Sequence, residues 1–211
     1  AMSTYESRRN LMSNYVRPLI GEMQLSSLNI RVMDQFYRSL QKVKTVVVNN
    51  VQPRNEFLTA HTVREIHKIL RTAFNQAVKW ELMPKNPVVH ATLPKEEHVP
   101  RNIWTAETLF KALDVCDDDM LKLALNLAFS CSLRMGEMLA LTWDCVDIAP
   151  ESIESGRASI FVNKELQRVN RDAMDKLDER GVILKFPPAF ASTHTHTRLV
   201  LKEPKTRTSV R

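Results

Sequence analysis

An apolar helical segment followed by an arginine constrains the fold of this chain more than any other feature. Seven of the nine residues in 121–129 are apolar, which predicts a helix that is buried on nearly all sides. Apolar residues repeat at helical spacing again over 135–141. Arg134 lies between the two segments, and Glu137 follows one turn later. Because burying an unpaired charge is costly, this arginine needs a carboxylate partner or an anionic ligand.

The same residues resemble a motif of a known family. The pattern Leu133-Arg134-x-Gly136-Glu137-x-Leu139-x-x-x-Trp143 resembles the first arginine box of the tyrosine recombinases, the family of the phage and conjugative-transposon integrases. Near the end of the sequence, Pro204-Lys205-Thr206-Arg207-Thr208-Ser209-Val210-Arg211 resembles the hairpin that carries the catalytic lysine of these enzymes. The resemblance covers most of the chain. Two positions depart from it: Ser132 stands where the family usually has Gly, and Cys145 where it usually has Asp.

The resemblance implies a mainly α fold with a small antiparallel β-sheet, arranged in two domains. A SAM-like helical bundle, the core-binding domain that contacts DNA, is expected over residues 3–92. The segment 93–102, with its prolines and charged residues, is predicted to be a linker with little to bury. Residues 103–211 are expected to form the first part of an α+β catalytic domain, truncated before the second arginine box and the nucleophilic tyrosine.

Local patterns in the sequence predict the individual helices and strands. Helices are indicated by apolar residues at a spacing of three and four, and strands by β-branched residues in extended runs. Pro18 is expected to disturb the last turn of the first helix. The predicted elements are helices over 4–20, 30–43 and 59–79, a short charged helix or an excursion of the chain over 171–180, a strand over 158–162, an extended segment over 193–202 and a turn at 203–206.

Three residues are candidates for catalysis. The guanidinium of Arg134 can neutralise a phosphorane-like transition state through bidentate contacts to the non-bridging oxygens. The resemblance implies that Glu137 orients this arginine and that Lys205 protonates the departing 5′ oxygen. The alternatives are an Arg–Glu pair that ties two helices together and a lysine exposed in a turn. Arg207 and Arg211 are secondary candidates for phosphate contact.

The excess of positive charge lies entirely in the first half of the sequence. Residues 1–100 contain 14 Lys/Arg against 8 Asp/Glu, whereas residues 101–211 contain 16 against 16, so the net charge of +6 belongs to the first half. A basic region joined to a neutral one favours contact of the basic region with a polyanion. The alternative is charge that serves solubility alone.

The helix predicted over 59–79 concentrates cations on one face. Opposite its apolar stripe, the cations fall within an arc about 80° wide and extend along about 20 Å. No carboxylate interrupts the arc, although Glu65 lies beside it, so these cations are expected to lack counterions. Their spacing matches a track of DNA phosphates, and the alternative is a solvated outer face. The candidate DNA-binding residues on this helix are Arg64, Lys68, Arg71 and Lys79.

The sequence offers no candidate for the nucleophile. Its three tyrosines are Tyr5, Tyr15 and Tyr37, and all three lie on helices that are expected to pack within the first domain. The resemblance implies chemistry without a metal or nucleotide, so no cofactor is expected. The chain as given is therefore predicted to bind DNA weakly or not at all and to be unable to cleave it.

Other side-chain clusters are interpreted as structural. Asp117-Asp118-Asp119 is expected to be the acidic start of a helix and not a metal site. His194-x-His196 is interpreted as two histidines on the surface of a strand, since no cysteine or carboxylate lies close by. The remaining assignments are core positions for Met120, Met135 and Met138 and surface positions for His61 and His67.

These features predict site-specific DNA recombination or integration by strand exchange through a covalent phosphotyrosine intermediate, with double-stranded DNA as the partner. By resemblance, the parent protein is expected to act as a tetramer on DNA in the cytoplasm of a bacterial host, and this fragment to be monomeric. No apolar run is long enough to span a membrane. The alternative is a non-catalytic DNA-binding regulator or accessory protein that retains the integrase scaffold. A purely structural helical protein fits the asymmetry of charge poorly.

Overall fold

The chain divides into two compact units, Thr4–Pro100 and Arg101–Arg211, the second together with Ala1–Ser3. We call them the N-terminal and the C-terminal unit. The computed structural model describes residues 1–47, 52–96, 100, 102–187, 196–204 and 210. Helices predominate, and the strands form two small antiparallel sheets. The predicted class, mainly α with a small antiparallel β component, is therefore confirmed.

The first helical segment changes its winding just before a proline. It consists of α1 (Met2–Leu11), a π-helical turn (Met12–Val16) and α2 (Arg17–Ile20). Pro18 lies in the first turn of α2, where it has no N–H to donate to the preceding turn. Single π-helical turns are the usual form in which this winding interrupts an α-helix. The helix predicted over 4–20 is thus confirmed, with its irregularity on the N-terminal side of the proline.

Two longer helices of the N-terminal unit begin at side-chain caps. The side chain of Asn29 accepts a hydrogen bond from the N–H of Val32 at 3.1 Å, and Thr59 accepts one from the N–H of Thr62 at 3.3 Å. Each cap satisfies a backbone donor that the first turn of a helix leaves unpaired. The helices are α3 (Ile30–Leu40) and α4 (Ala60–Lys79), preceded by a 3₁₀ turn at Leu25–Ser27.

One hydrophobic core stabilises the N-terminal unit. The segment between α3 and α4 is held by an antiparallel bridge between Lys44 and Phe57 and by a hydrogen bond from the N–H of Leu58 to the carbonyl of Val43 at 3.1 Å. Burial of apolar surface is the dominant favourable term in such a bundle. The buried core consists of Tyr15, Val16, Ile20, Met33, Phe36, Tyr37, Leu40, Leu58, Val63, Ile66, Leu70, Phe74, Met83 and Val88.

Leu93, the first residue of the predicted linker, packs on the N-terminal unit, so the expectation of little to bury does not hold for this residue. Ala91 and Leu93 contact the hydrophobic core. Between them, the N–H of Thr92 donates to the carboxylate of Asp34 at 2.6 Å. The apolar side chains of Ala91 and Leu93 bury surface against the core. The neighbouring prolines and charged residues made this contact hard to predict from the sequence.

The C-terminal unit opens with two capped helices. The hydroxyl of Thr105 accepts a hydrogen bond from the N–H of Thr108 at 3.3 Å. The carboxylate of Asp118 accepts from the N–H groups of Met120 and Leu121 at 2.9 and 3.1 Å, which confirms the acidic cluster as a helix start. The helices are α5 (Ala106–Asp114), α6 (Asp119–Ser130), α7 (Met135–Met138), α8 (Pro150–Glu154) and α9 (Arg171–Lys176).

The prediction that α6 is buried on nearly all sides is wrong. None of its residues is buried, and Leu121 and Phe129 are about half exposed. Its neighbours in the unit are α5 and α7, which leave much of its apolar surface uncovered. The predicted core position is also wrong for Met120 and Met135, both of which are exposed, whereas Met138 is half-buried. A run of apolar residues shows only that a helix could be buried. Whether it is buried depends on which other elements pack against it.

Two small antiparallel sheets complete the C-terminal unit. The predicted strand at 158–162, extended segment at 193–202 and helix at 171–180 are each confirmed over part of their range, as Ser159–Ile160, Thr197–Lys202 and Arg171–Lys176. In the larger sheet the strand order is β3-β5-β4, and Glu165 lies directly opposite Lys202. The strands are β1 (Val146–Asp147), β2 (Ser159–Ile160), β3 (Glu165–Asn170), β4 (Val182–Lys185) and β5 (Thr197–Lys202). β4 was not predicted.

Candidate functional site

Arg134 and Glu137 form an ion pair at the start of α7. Nη1 of Arg134 lies 2.6 Å from Oε1 of Glu137, and the backbone N–H of Arg134 donates to Oε2 of Glu137 at 3.0 Å. Both carboxylate oxygens therefore bind the same residue, in the way an acid in the first helical turn binds back to the N-cap. The expectation that Arg134 has a carboxylate partner is confirmed.

The two members of this pair differ sharply in exposure. The side chain of Glu137 is 1% exposed, whereas that of Arg134 is 67% exposed. The picture of an arginine wedged between buried helices is therefore wrong, since α6 is itself uncovered. The guanidinium is held on one side by a buried acid and faces solvent on the other. Its outward N–H groups can donate to an anion.

Gly136 allows α7 to approach β3 closely. A Cβ at this position would lie 2.9 Å from the carbonyl oxygen of Leu166, which is closer than such a carbon approaches any atom. Leu133, which precedes α7 in the sequence, and Ala140, which follows it, are both buried. The glycine of the arginine motif thus has a steric reason, since it sets the position of the Arg134-bearing helix on the strand.

Ser132 has a backbone conformation that favours glycine. Its φ is 52°, in the left-handed region that side chains with a Cβ rarely adopt. The residue lies where the chain turns between the end of α6 and the buried Leu133. The tyrosine recombinases, whose motif this segment resembles, usually have glycine here, and glycine adopts this conformation without strain. Serine at position 132 therefore introduces backbone strain next to Arg134.

A second ion pair, which the sequence did not reveal, fastens the turn after α7. Nζ of Lys164 lies 3.0 Å from Oδ2 of Asp144, and the hydroxyl of Thr142 donates to the same carboxylate. The hydrogen bonds from Thr142 and then Lys164 lower the pKa of Asp144, and the contact with Asp144 raises the pKa of Lys164. The pair therefore stays charged at neutral pH. Its members are 20 residues apart, and no local pattern connects them.

A third pair links the first and last strands of the larger sheet. Nζ of Lys202 lies 2.9 Å from Oε1 of Glu165, and the two side chains are only 10% and 22% exposed. Val200 lies on the same face of β5 and is fully buried. The pairing follows from the register of the sheet, which the sequence alone does not give.

The cationic face of α4 is partly neutralised, which corrects the expectation of cations without counterions. Nζ of Lys68 lies 2.6 Å from Oε1 of Glu65, and this hydrogen bond lowers the pKa of Glu65. Arg64 donates from Nη2 to the carbonyl of Pro94 at 2.9 Å, and its Nε lies 3.7 Å from Oε2 of Glu96. Helical periodicity cannot place Glu96 on this face, because it belongs to the chain that follows the bundle.

The other half of this face remains open. Arg71 and Lys79 are exposed, and neither has a carboxylate partner in the described part of the chain. Asn75 lies between them and accepts a hydrogen bond from Nδ2 of Asn86 at 2.7 Å. The two cations that best retain the predicted phosphate-binding character are therefore at the C-terminal half of α4.

His67 is buried, so its predicted surface position is wrong. Its Nδ1 shares a 3.1 Å hydrogen bond with the hydroxyl of Tyr37. Burial, followed by the charges of Arg71 and Arg64, lowers the pKa of the His67 imidazole, and burial raises the pKa of Tyr37. Tyr37 and Tyr15 are buried core residues, which confirms their predicted role in packing.

Three predicted site residues lie outside the described residues. They are Lys205, Arg207 and Arg211, and their roles remain predictions. His194 of the His194-x-His196 pattern also lies outside. Among the residues that the structure does describe, no group of three or more His, Cys, Asp or Glu is placed to hold a metal ion. No helix in that part of the chain has the length and apolar character to cross a membrane.

Comparison with curated proteins finds a distant similarity. A protein described as "Tyrosine recombinase XerC-like" from Caldanaerobacter subterraneus subsp. tengcongensis is 27% identical over 105 residues, which are 47% of this chain and 27% of the relative. The match thus spans about a quarter of the relative's length. No protein-family profile and no solved structure match the chain. The similarity supports a relationship to the tyrosine recombinases at the level of the family.

Proposed function

We propose that this chain takes part in site-specific DNA recombination, as the DNA-binding unit and the arginine-bearing part of the catalytic domain of a tyrosine recombinase. The observation that carries the proposal is the geometry of Arg134. A guanidinium that is anchored by a buried acid yet 67% exposed is suited to receive an external anion. The distant similarity to a tyrosine recombinase supports a phosphodiester as that anion.

In the proposed reaction, a tyrosine hydroxyl loses its proton to solvent as its oxygen attacks the scissile phosphorus. The bond between the tyrosine oxygen and phosphorus forms, the bond between phosphorus and the 5′ oxygen breaks, and that oxygen leaves with a proton. Arg134 donates N–H groups to the non-bridging oxygens, whose charge grows in the transition state. Glu137 restrains the guanidinium through Oε1. Lys205 is proposed to supply the proton to the leaving oxygen.

None of the three tyrosines in the sequence is proposed as the nucleophile. Tyr15 and Tyr37 are buried in the core of the N-terminal unit, and Tyr5 is half-buried on α1. Their hydroxyls are therefore poorly placed to attack a bound duplex. We expect this chain by itself to bind DNA at most weakly and not to cleave it, the nucleophile being supplied from outside these 211 residues.

The partner proposed for the N-terminal unit is the backbone of double-stranded DNA. Arg71 and Lys79 offer exposed cations to phosphates, and Arg64 and Lys68 lie on the same face of α4. Contacts of this kind supply affinity and position without reading sequence. Arg207 and Arg211 are proposed as further phosphate contacts. We further propose that this chain alone is a monomer and that the whole recombinase acts as a tetramer on DNA.

The experiment that tests the proposal measures covalent protein–DNA complex on a nicked suicide substrate, with a protein that carries this chain together with its nucleophilic tyrosine. Arg134→Ala is expected to slow complex formation by about 10²–10³-fold, as the loss of one transition-state donor does. Lys205→Ala is expected to slow it as well. Arg157→Ala removes an exposed arginine of the same unit and serves as the matched control.

If Arg134→Ala and Lys205→Ala form the complex as fast as wild type, the catalytic assignment is wrong. A second candidate function is a non-catalytic DNA-binding protein on the same scaffold. Its supporting observation is that Arg71 and Lys79 on α4 are exposed, since such cations can bind phosphates without any catalytic group. The same assay separates the two, since a non-catalytic protein retains DNA at low salt and yields no covalent complex with any variant.

A further inference from the structure

The chain that follows the bundle returns along the N-terminal half of α4. Thr92 is bonded to Asp34, Leu93 packs against the core, and the carbonyl of Pro94 accepts a hydrogen bond from Arg64. The backbone is thus fixed over three consecutive residues. Glu96 follows two residues later, close enough to α4 for its side chain to reach the helix.

Glu96 bridges two side chains of α4, His61 and Arg64. Its Oε1 lies 2.8 Å from Nδ1 of His61, and its Oε2 lies 3.7 Å from Nε of Arg64. Each carboxylate oxygen therefore faces a different partner. His61 and Arg64 are three residues apart and lie near one another on a helix. A carboxylate from 32 to 35 residues along the chain thus occupies part of the predicted phosphate track.

The contact is of a kind that DNA can replace. The side chains of His61, Glu96 and Arg64 are 66%, 44% and 36% exposed, and ion pairs at such exposed positions contribute little to stability. The 3.7 Å separation at Nε is also too long for a hydrogen bond, and Nε of Arg64 is buried without a hydrogen-bond partner among the described residues, so the contact with Glu96 leaves this donor unsatisfied. Only one oxygen of Glu96 faces Arg64, because the other faces His61. A phosphate can offer two oxygens to the same guanidinium, and Arg commonly binds phosphate in this bidentate way.

The two halves of the cationic face of α4 therefore differ in how many of their cations already have a carboxylate partner. Arg71 and Lys79 have no carboxylate partner among the described residues, whereas Arg64 meets Glu96 and Lys68 meets Glu65. Glu65 belongs to α4 itself and stays beside Lys68 whatever the linker does. Glu96 lies in the predicted linker, 32 residues along the chain from Arg64, so the geometry of α4 does not by itself hold it beside that arginine.

We propose that Glu96 is an internal competitor of DNA: it occupies Arg64 and His61 in the free chain and is displaced when a DNA phosphate docks at the N-terminal half of α4. The competition weakens binding to DNA of any sequence and ties the start of the linker to the bundle until DNA is bound. This inference rests on the proposed function, because it takes α4 as the DNA-contacting face.

The test measures binding of the full 211-residue chain to a fluorescently labelled 20-base-pair duplex at several salt concentrations. Glu96→Gln is expected to bind about two- to fivefold more tightly than wild type, with the salt slope steeper by up to about one unit. Glu56→Gln is the matched control, since Glu56 forms an exposed pair with Lys44 in the same unit. It removes the same charge and is expected to change affinity by clearly less.

A double-mutant cycle assigns the gain to Arg64. Arg64→Ala is expected to have little effect in wild type and to abolish most of the gain in the Glu96→Gln background. Equal affinities for Glu96→Gln and Glu56→Gln, while Arg71→Ala still weakens binding, overturn the competition and leave the proposed function intact. If neither wild type nor Glu96→Gln shows salt-dependent binding, both the competition and the DNA-binding role of α4 are wrong.

Discussion

The carbonyl oxygen of Leu166 lies where a side chain on Gly136 would have to be, 2.9 Å from the position of its Cβ. The contact joins the helix that carries Arg134 to the first strand of the larger sheet. The obstructing atom belongs to the backbone of a paired strand, so it cannot move aside as a flexible side chain would.

Gly136→Ala is therefore expected to destabilise the C-terminal unit by about 1–3 kcal/mol, as overpacking does. This steric cost exceeds the gain of about 1 kcal/mol in helix propensity when Gly is replaced by Ala. Chemical denaturation measures the resulting change in the free energy of unfolding. In Gly156→Ala the new Cβ meets nothing within 4 Å, so only backbone strain is introduced. Hydrogen exchange at the N–H of Met138, bonded to the Arg134 carbonyl, should accelerate in the first variant and not in the second.

Arg134→Ala is expected to lower stability more than Glu137→Gln. Removal of the arginine leaves a 1% exposed carboxylate with one partner fewer, at a cost of about 1–3 kcal/mol. Removal of the acid leaves a guanidinium that water can solvate. The double variant is expected to be more stable than Arg134→Ala alone, and denaturation of all four proteins measures the coupling. If Glu137→Gln is the more damaging change, the buried acid is not stabilised chiefly by Arg134.

Ser132→Gly is expected to stabilise the C-terminal unit by up to about 1 kcal/mol. Relief of about 1–2 kcal/mol of left-handed strain exceeds the roughly 0.5–1 kcal/mol that glycine adds to the entropy of the unfolded chain. The matched control is Cys131→Gly, because Cys131 has an ordinary φ of −102° and offers no strain to relieve. Cys131→Gly should be destabilising, and a destabilising Ser132→Gly would contradict the strain at position 132.

The stability of the N-terminal unit is expected to fall as the pH drops below about 6.5, because of His67. Its folded-state pKa is lowered from 6.5 by burial, so above pH 6.5 both states are neutral there and the residue contributes no pH dependence. Below that value the unfolded chain binds a proton that the folded unit resists, with a slope of at most about 1.4 kcal/mol per pH unit. Chemical denaturation between pH 5 and 8 measures the change.

His67→Gln is expected to remove this contribution from the pH dependence, since glutamine does not titrate and can still approach the hydroxyl of Tyr37. The matched control is His90→Gln, because His90 is exposed in the same unit. That variant should keep the wild-type slope. An unchanged slope in His67→Gln, with His90→Gln for comparison, would show that other groups produce the pH dependence.

Arg71→Ala and Lys79→Ala are each expected to weaken DNA binding and to reduce the salt slope by about one unit. The reason is that each exposed cation is proposed to neutralise one phosphate. Lys44→Ala removes the same charge from the exposed Lys44–Glu56 pair of the same unit and should leave the slope nearly unchanged. Equal slopes for all three variants would place the DNA contact elsewhere.

Much of the secondary structure could be predicted because its determinants are local. Thr59, Thr105 and Asp118 cap the helices that follow them, and capping involves residues two or three positions apart. The pairing of Arg134 with Glu137 is equally local, since three residues bring two side chains onto neighbouring turns. β4 escaped prediction, because its four residues lack the alternation by which a strand is recognised.

The environment of the site could not be predicted, because it depends on segments that are far apart in the sequence. The sequence made α6 apolar, and only the tertiary structure decided that α5 and α7 leave that surface uncovered. It placed four cations on α4, and only the fold brought Glu96 to Arg64. The approach of Leu166 to Gly136 likewise depends on the packing of a helix on a strand.

By itself, the sequence determined most of the helices, the acidic start of α6, the Arg134–Glu137 pair and the asymmetry of charge between the two halves. The tertiary structure alone decided which apolar faces are buried, which cations have counterions, and that the acid of the pair is buried while the arginine is exposed. The physical reason is the range of the interactions. Backbone geometry fixes contacts within about four residues, whereas burial and long-range ion pairs require surfaces that only the packed chain brings together.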